Sequence, residues 1–400
     1  MKQTTLITNG KVVTPGRIVA AGEVYIKNGL IEYVGKQGER RRPAADIIID
    51  ADGQYILPGF VDMHSDAIEK EIEPRPGAFV ETELAFRELE KKVAGHGITT
   101  MYHSFSFAGA EWGIRDDKEA ANAIRTIVRM AESSALIHNK IHLRFEISDN
   151  SGVGLAKSLL EQKFVDLLSF MDHTPGQGQY PTFEDYRNYM EKTYHWPREQ
   201  IEKVLEMKKR GGLCAEENIR TLSEAALGQS VPMASHDDDN PLKVAFYKEQ
   251  GVNINEFPIN LKTVAAAFQA GNYVCVGAPN ILRGGSSGKG LRAIEAVDAG
   301  LVKIICSDYY PPAMLHSVFK LAEKTMSLPE AVAMVAGMPA KALHLNAGSL
   351  EEGKCGDVII VGLNRHLPVV IKTIVAGVPV YRINYRAPEN VLKNAEEQLA

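Results

Sequence analysis

The sequence lacks the features that mark secreted, membrane-spanning and disulfide-stabilised proteins. Its four cysteines, Cys214, Cys275, Cys306 and Cys355, form no Cys-x-x-Cys pair, and thiols spread over so long a chain are not a disulfide framework. The N-terminal stretch MKQTTLITNGKVV has no apolar core of the kind found in signal peptides, and no apolar run approaches the length of a membrane span. We therefore expect reduced, mostly buried thiols and a cytoplasmic protein that binds no membrane.

The sequence also lacks a large excess of charge of either sign. The 45 Lys and Arg residues are scattered among 50 Asp and Glu residues, which gives a formal net charge of −5. Such a chain has no basic field able to hold nucleic acid or an anionic membrane, so any phosphate must be bound by local groups. The 400 residues, 45% of them hydrophobic, are enough for one barrel-sized core and a smaller second domain.

Both ends of the chain have the pattern of short strands joined by tight turns. Near the N-terminus, GEVYIKNGLIEYVG alternates in polarity, and the Asn9-Gly10 and Asn28-Gly29 pairs favour hairpin turns. The same alternation returns in VVIKTIVAGVPVYRINY near the other end. We predict one small β-sandwich domain formed by residues 1–56 and 348–400, with residues 57–347 folding as a separate domain between them.

The middle of the chain alternates apolar runs with helical stretches, as βα units do. Strands are predicted at residues 60–64, 98–104, 141–148, 165–172, 231–236, 254–258, 273–278 and 303–308. Helices with a 3.6-residue apolar period are predicted at 81–96, 117–136, 185–210 and 315–324. Eight strands alternating with helices predict an α/β fold of the (β/α)8 TIM-barrel class, whose catalytic residues follow the carboxyl ends of the strands.

Side chains that bind metals follow nearly every predicted strand. They are His64, Asp66, His103, Glu146, His173, His236, Glu256, Asn280 and Asp308. Because residues two apart in a strand point to the same side, His64 and Asp66 can both face the mouth of the barrel. Imidazole and carboxylate ligands without thiolate suit zinc, manganese or iron in a hydrolytic site.

Each of these residues also has an ordinary structural interpretation. A single histidine after a strand is more often a core or surface residue than a ligand. Asp308 could cap the next helix, aspartates 237–239 could form a solvated capping loop, and Glu146 could form an ion pair with Arg144. Repetition at equivalent places favours the metal site, because five strands each bring His, Asp or Glu to the same rim.

Four motifs in order resemble the amidohydrolase superfamily over nearly the whole chain. They are LPGFVDMHSD after the N-terminal β segment, ASHDDD in the middle of the barrel, CSDY at its last strand, and the closing GSLEEGKCGDVIIV. That superfamily usually carries His-x-His on its first strand, whereas this sequence has His64-Ser65-Asp66. With HTPGQGQY, GAPNILRGGSS and SDYYPPAML, this departure resembles a phosphonate-degrading branch, the α-D-ribose 1-methylphosphonate 5-triphosphate diphosphatase family.

The resemblance implies metal ligands at His64, Asp66, Glu146, His173, His236 and Asp308. It implies two divalent ions bridged by Glu146, with zinc as the first choice and manganese or iron as alternatives. Two such ions would make hydroxide available near neutral pH and polarise the phosphoryl oxygen under attack. Asp308 would be the catalytic residue that takes the proton from that water and passes it toward the leaving group. In this family the attack falls on phosphorus and releases pyrophosphate.

A triphosphate also needs positive charge and amide donors. Candidate substrate-binding residues are Arg75, Gln177, Arg283, Gly284, Gly285, Ser286 and Lys289. The segment APNILRGGSSGKGLRA, with Arg292 at its end, could form an anion nest before a helix or could be a flexible surface loop. Ala67, Glu71 and loop 284–290 depart from the family pattern, which leaves the exact substrate open. His103 matches no family position and has no assigned role.

Three kinds of protein remain possible at this stage. The first is a binuclear diphosphatase acting on a small phosphorylated substrate, and the second is another amidohydrolase, such as a deacetylase, cyclic amidase or deaminase, acting on a C–N bond. Replacing Arg283 or Lys289 with alanine separates these two, because only a phosphorylated substrate requires the cations. The third is a barrel without enzymatic activity, which predicts no bound metal. We also expect a homodimer.

Overall fold

The computed structural model describes residues 3–41, 43–109, 113–175, 182–194, 196–285 and 290–384. Within these residues, sixteen strands form two separate sheets. The strands are β1 (Thr4–Thr14), β2 (Arg17–Lys27), β3 (Leu30–Lys36), β4 (Ile47–Asp50), β5 (Tyr55–Pro58), β6 (Phe60–Ser65), β7 (Ile98–Phe107), β8 (His138–Glu146), β9 (Leu167–Met171), β10 (Met233–His236), β11 (Ile254–Glu256), β12 (Tyr273–Gly277), β13 (Ile304–Cys306), β14 (Val358–Asn364), β15 (Leu367–Val375) and β16 (Val378–Arg382). None of the described helices is long and apolar enough to cross a membrane.

The first sheet is built from both ends of the chain, as the sequence predicts. Its strand order is β16-β15-β14-β5-β1-β2-β3, with β4 paired on β1. The β5–β14 pairing joins the two ends of the chain in one hydrogen-bonded path. One face encloses a core of its own, which includes Ile7, Val24, Ile26 and Ile360. The predicted β-sandwich domain is therefore, among the described residues, one sheet of strands from both ends of the chain with its own buried core.

One of the two predicted hairpin turns is correct. Asn28 and Gly29, both with positive φ, connect β2 to β3, as an Asn-Gly turn requires. Asn9-Gly10 is wrong as a turn, because it lies inside β1 at a shift of register against β2. Asn9 has φ of 56°, and a side chain on Gly10 would collide with Ile56. The pair therefore forms a β-bulge, which uses the same backbone freedom as a turn.

The second sheet is the barrel. Strands β6 to β13 pair in parallel in sequence order, and each predicted strand has its counterpart, with ends that differ by up to three residues. The barrel closes where β6 meets the residues after β13. There the Asp308 amide donates to the His64 carbonyl at 3.0 Å, and the Asp66 amide donates to the Asp308 carbonyl at 2.8 Å. Closure therefore joins three of the predicted site residues directly through their backbones.

Helices cover the outside of the barrel and fill its loops. They are α1 (Ala67–Ile72), α2 (Thr82–Ala94), α3 (Asp117–Ser133), α4 (Val153–Glu161), α5 (Phe183–Tyr194), α6 (Arg198–Gly211), α7 (Ala215–Gly228), α8 (Pro241–Glu249), α9 (Leu261–Gln269), α10 (Ala278–Arg283), α11 (Ala293–Asp298), α12 (Ala313–Lys324), α13 (Leu328–Val335) and α14 (Gly337–Ala342), with short 3-10 turns at Gly113–Arg115 and Gly212–Cys214.

The predicted helix 185–210 is wrong as a single element. The structure has α5 and α6 there, and Pro197 occupies the N-cap position of α6. Proline lacks the amide hydrogen and clashes with the preceding turn inside a helix, so the first helix must end before it. The two helices pack on each other through a separate apolar cluster that includes Tyr186, Trp196 and Ile201. They form a hairpin inserted between barrel strands β9 and β10.

The cysteines are free thiols, as expected. Cys275 and Cys306 are fully buried in the barrel. Cys355 is partly buried and Cys214 is exposed, so the expectation of mostly buried thiols is correct for only part of the set.

Candidate metal centre

Three predicted ligands from the two ends of the barrel sheet meet at the closure. Donor atoms of His64, Asp66 and Asp308 all lie within 4.8 Å of one another, and His64 Nε2 is 3.7 Å from Asp66 Oδ1. Strand geometry explains the first pair, since residues two apart point to the same side. Asp308 takes a left-handed conformation with φ of 57°, which turns the chain immediately after β13. We call this group the first cluster.

Glu256, at the end of β11, fixes the orientation of His64. Its Oε1 lies 3.0 Å from His64 Nδ1, and Ser169 Oγ donates to its Oε2 at 2.9 Å. Burial opposes ionisation, but His64 and the neighbouring His142 nevertheless hold the pKa of Glu256 well below its usual range. An ionised carboxylate on Nδ1 leaves Nε2 of His64 available as a ligand on the side of Asp66.

A second group of donors comes from strands β9 and β10. Asp237 Oδ2 lies 3.2 Å from His236 Nδ1 and 3.9 Å from His173 Nε2. We call His173, His236 and Asp237 the second cluster. It adjoins the first, because the rings of His64 and His236 have centroids 5.4 Å apart.

Glu146, at the end of β8, contacts the second cluster. Its Oε2 is 3.4 Å from His173 Nδ1 and accepts the backbone amide of His173 at 3.2 Å. The hydroxyl of Ser148 donates to its Oε1 at 3.0 Å. These contacts put Glu146 beside one predicted ligand of the second ion, and its role as a bridge between two ions stays a prediction.

A buried arginine lies between the two clusters. Arg144 Nη1 donates to Asp66 Oδ1 at 2.8 Å, and Arg144 Nη2 lies 3.2 Å from His236 Nε2. The residue is only 5% exposed. The alternative interpretation of Glu146 as the partner of Arg144 is therefore wrong, because Arg144 pairs with Asp66 instead.

The partner of Glu146 is a lysine delivered by the α5–α6 hairpin. Lys208 Nζ on α6 lies 3.4 Å from Glu146 Oε2, and Lys208 is 5% exposed. It also lines a cavity of about 330 Å³ together with Ser148, Asn150 and Gly109. A cation that is held against the metal-binding rim and borders a cavity can contact an anionic substrate there.

The donor chemistry of both clusters fits divalent metal ions. Each combines imidazole with carboxylate oxygen, the set expected for catalytic zinc, manganese or iron. Burial lowers the pKa of His173 well below its ordinary value, so this imidazole is neutral near pH 7 and has a lone pair to donate. Burial and the nearby Asp66 carboxylate raise the pKa of Asp308 to about 6, so this carboxyl can gain or lose a proton near neutral pH. We conclude that the residues present can hold metal.

The predicted phosphate-binding residues are only partly placed. Gln177, Ser286 and Lys289 lie outside the described residues. Arg75 is exposed, in a turn where its carbonyl accepts the Ala78 amide at 2.9 Å. Gly284 and Gly285 both donate their amides to the Asn280 carbonyl, which caps α10 and leaves these two amides unavailable for the predicted anion nest. Arg292 is exposed and donates to the Gly284 carbonyl at 3.1 Å.

Arg283 does lie near the first cluster. Its Nη1 donates to Tyr309 Oη at 3.3 Å, and Tyr309 directly follows Asp308 in the chain. Lys70 Nζ lies 4.9 Å from the centre of the Tyr309 ring. Both cations are exposed. Tyr309, the residue after the predicted catalytic Asp308, thus contacts two cations, and one of them, Lys70, belongs to the helix α1 that follows Asp66.

Several ligand-type residues have structural roles instead. His103 is a fully buried core histidine whose Nε2 lies 2.8 Å from Asn139 Oδ1, while its Nδ1 has no hydrogen-bond partner among the described residues. Glu71 pairs with Lys92 across α1 and α2 at 2.6 Å. Asp308 is not a helix cap, since α12 begins at Ala313 with Pro312 in the N-cap position.

The first two aspartates after His236 have different environments. Asp237 joins the second cluster, while Asp238 is buried and accepts from Ser235 Oγ and from Asn255 Nδ2 at 2.7 Å. The cap of α8 is Asn240, whose side chain accepts two backbone amides. The solvated-loop interpretation is therefore wrong for Asp237 and Asp238.

Sequence reasoning missed several functional candidates. They are Arg144, Lys208, Asp237, Lys70 and Tyr309, together with Glu256 in its orienting role. The two-residue spacing between Arg144 and Glu146 was a usable signal, because both side chains then face the same side of β8. Lys208 had no comparable signal, since its position depends on how the α5–α6 hairpin folds back.

Comparisons with known proteins show which proteins this chain resembles. Residues 55–381 match the sequence profile of the Amidohydrolase family. The alpha-D-ribose 1-methylphosphonate 5-triphosphate diphosphatase of Escherichia coli K12 is 31% identical over 366 residues, which cover 89% of this chain and 94% of that protein. An adenine deaminase of Listeria innocua is 31% identical over 118 residues, 28% of this chain and 17% of that protein.

A solved structure shows the same fold. The β-aspartyl dipeptidase of Fervidobacterium islandicum AW-1 superimposes with a TM-score of 0.63 at 15% identity, covering 96% of this chain and all of that one. At this low identity the likeness concerns the fold alone: a parallel barrel of this size with a smaller sheet beside it.

Proposed function

The chain belongs to the amidohydrolase family, a family of hydrolases, and from that premise we propose that it hydrolyses α-D-ribose 1-methylphosphonate 5-triphosphate to release pyrophosphate. The observation that carries the proposal is the similarity to the Escherichia coli diphosphatase over nearly the whole of both chains. The match to the adenine deaminase, by contrast, spans only 28% of this chain.

The charges around the site support a phosphorylated substrate. Lys70 and Arg283 both contact Tyr309, the residue that follows Asp308, and Lys208 contacts Glu146 and borders the cavity. A substrate that carries a triphosphate at one end and a phosphonate at the other needs cations in more than one place. A neutral cyclic amide would need none of these three side chains.

The residues can divide the reaction between them. His64, Asp66 and Asp308 would hold one divalent ion, and His173, His236 and Asp237 would hold a second, with Glu146 beside His173. Ions at these positions supply two effects, a lower pKa for bound water and polarisation of the phosphoryl oxygen. Zinc is the first choice for this donor set, and manganese and iron suit it as well.

Asp308 is the residue proposed to move the proton. It lies where the barrel closes: its amide donates to the His64 carbonyl of β6, and its carbonyl accepts the amide of Asp66, so its backbone is held at this point. A carboxylate placed at the rim in this way can accept a proton from water and then give it to the leaving oxygen. Arg283 and Lys70 would neutralise charge that builds up on the departing pyrophosphate.

The test is turnover of this triphosphate by metal-reconstituted protein, followed by ³¹P NMR. We expect pyrophosphate to appear and to disappear in Asp308→Asn, with the metal content of both proteins measured alongside. Arg283→Ala should raise KM for the triphosphate, whereas Arg129→Ala, an exposed arginine paired with Glu83 on the outer helices, should not. Protein that holds its metals but releases no pyrophosphate would contradict the proposal and point to C–N substrates of the same family.

A further inference from the structure

A second kind of donor cluster lies at the opposite end of the barrel. His138 is the first residue of β8, whereas Glu146 is its last. Eight residues of extended strand separate them by about 26 Å. Cys355 and Asp357 come from the segment just before β14. The three donor atoms lie within 4.8 Å of one another, at the junction of the barrel and the terminal sheet.

The spacing of the donor atoms matches a tetrahedral zinc site. With Zn–S of about 2.3 Å and Zn–N and Zn–O of about 2.0 Å, tetrahedral angles require edges of about 3.6 Å between S and N and about 3.3 Å between N and O. The observed distances are 3.8 Å from Cys355 Sγ to His138 Nε2 and 3.2 Å from His138 Nε2 to Asp357 Oδ2. No ligand side chain has to move far to receive an ion.

The carboxylate is oriented by three contacts, all of them to one oxygen. Asp357 is 2% exposed; its Oδ1 accepts the Ala376 amide at 2.8 Å, accepts from Cys355 Sγ at 3.3 Å and lies 3.3 Å from His138 Nε2. Its Oδ2 is buried and makes no hydrogen bond of acceptable geometry within the described residues; it faces the His138 ring. A buried carboxylate oxygen left in this way is a costly feature of a fold unless a cation or donor satisfies it.

The charge and access also suit a divalent ion. Without an ion the Cys355 thiol donates to Asp357 Oδ1, so an incoming ion would displace that proton to solvent. The resulting thiolate and the carboxylate would carry two negative charges, which one divalent cation neutralises. The nearby Lys140 does not supply that charge, because its Nζ pairs with Asp166 at 2.8 Å. The His138 side chain is 41% exposed, so an ion can enter from solvent and keep water as its fourth ligand.

We propose that His138, Cys355 and Asp357 bind a divalent transition metal ion, zinc in preference to others, separate from the catalytic clusters. Sulfur, nitrogen and oxygen ligands select zinc over magnesium or calcium. The ion would connect β8 of the barrel to the terminal sheet, so its function is structural. The proposal is independent of the substrate that the catalytic clusters act on.

Cobalt(II) gives a direct test, because a thiolate ligand produces a charge-transfer band in the near ultraviolet that imidazole and carboxylate ligands do not. The full-length protein is stripped with a chelator under reducing conditions and titrated with cobalt(II). We expect a thiolate-to-cobalt band in the wild type and in Cys275→Ser, and no such band in Cys355→Ser. The bound metal should fall by one ion per chain in Cys355→Ser.

Two results would overturn the proposal. One is a wild-type protein that fills its catalytic sites with cobalt and shows no thiolate band; the other is a band that persists in Cys355→Ser. His138→Gln is the control for misfolding. It should lose the band, while its melting temperature without metal stays close to that of the wild type. Turnover by Cys355→Ser should remain normal. The cobalt band does not depend on turnover, so it tests this site even if the proposed catalytic function is wrong.

Discussion

Arg144 Nη1 donates a 2.8 Å hydrogen bond to Asp66 Oδ1 in the interior of the site. Asp66 occupies the position where the superfamily usually has the second histidine of its first-strand motif. A carboxylate there can pair with a buried guanidinium, whereas a neutral imidazole could not compensate the charge. The aspartate that replaces the second histidine of His-x-His thus pairs with a buried arginine, which lies between the two candidate metal-binding clusters.

Replacing Arg144 with methionine should destabilise the metal-free protein more than the metal-loaded one. Without the guanidinium, Asp66 loses its hydrogen-bonded cation. Breaking such a pair costs about 3 kcal/mol, the low end of the range because Asp66 is 19% exposed. A bound divalent ion would supply the missing positive charge. Urea unfolding in chelator and in saturating metal measures the two losses.

The matched control for this change is Arg129→Met. Arg129 forms an exposed ion pair with Glu83, so its loss should change the free energy of unfolding by less than about 1 kcal/mol in either condition. If Arg144→Met is destabilised equally with and without metal, a bound ion does not replace the positive charge of Arg144 beside Asp66.

Lys208→Met should lower activity on a phosphorylated substrate. The ammonium group contacts Glu146 and borders the cavity, and one hydrogen bond to a charged group contributes about 1.5 to 3 kcal/mol. We therefore expect kcat/KM to fall roughly 10- to 100-fold, with metal content measured to separate substrate binding from metal loss. Steady-state kinetics against substrate concentration give the division between kcat and KM.

Lys203→Met is the control on the same helix. Lys203 is 71% exposed and pairs with Glu199 one turn away, so its removal takes one positive charge from α6 without touching the site. If both variants lose activity equally, the effect comes from the net charge of α6, and the contact of Lys208 with Glu146 has no special importance.

The barrel and most of the proposed ligands could be predicted from sequence for a physical reason. Parallel strands are buried on both faces, so they appear as continuous apolar runs, and the residue after each run lies at the catalytic rim. His64, His173 and Asp308 are found in this way. Such a rule depends only on local order along the chain, which is why the strand ends were within a few residues of those observed.

The remaining site residues depend on contacts between distant segments. Lys208 reaches Glu146 because Pro197 ends one helix and starts another, and the return angle of that hairpin is a tertiary property. Asp237 enters the second cluster through a positive φ of 56°, which an aspartate adopts in few contexts. The Asn9-Gly10 bulge shows the same limit, since one dipeptide suits both a turn and a bulge.

Trp196→Ala should loosen the α5–α6 hairpin without unfolding the barrel. Trp196 is 3% exposed in an apolar cluster that is separate from the barrel core, and truncating a buried aromatic costs about 3 to 5 kcal/mol. This free energy is lost by the α5–α6 hairpin, whose apolar cluster is small and separate from the barrel core. The hairpin should therefore open locally while the barrel stays folded. Hydrogen exchange should accelerate in residues 183–211, and activity should fall as in Lys208→Met. Faster exchange throughout the barrel strands would show that the hairpin is not an independent unit.

Asp117 should make stability depend on pH. Burial and the neighbouring carboxylate of Asp149 raise the pKa of Asp117 from 3.8 to about 8. Between these values the folded chain holds a proton that the unfolded chain has released, so the free energy of unfolding falls as pH rises through that window. Asp117→Asn cannot lose the proton, and its amide can donate to Asp149 as the protonated carboxyl does.

The variant should therefore gain stability relative to wild type as pH rises from about 5 to about 8, with the smallest difference at the acidic end. Chemical denaturation at several pH values measures this difference directly. Asp298→Asn, at an exposed position, controls for the loss of one negative charge and should give a nearly constant difference. A difference for Asp117→Asn that does not vary with pH would mean that Asp117 is ionised throughout, and that the two carboxylates are kept apart by solvent instead of sharing a proton.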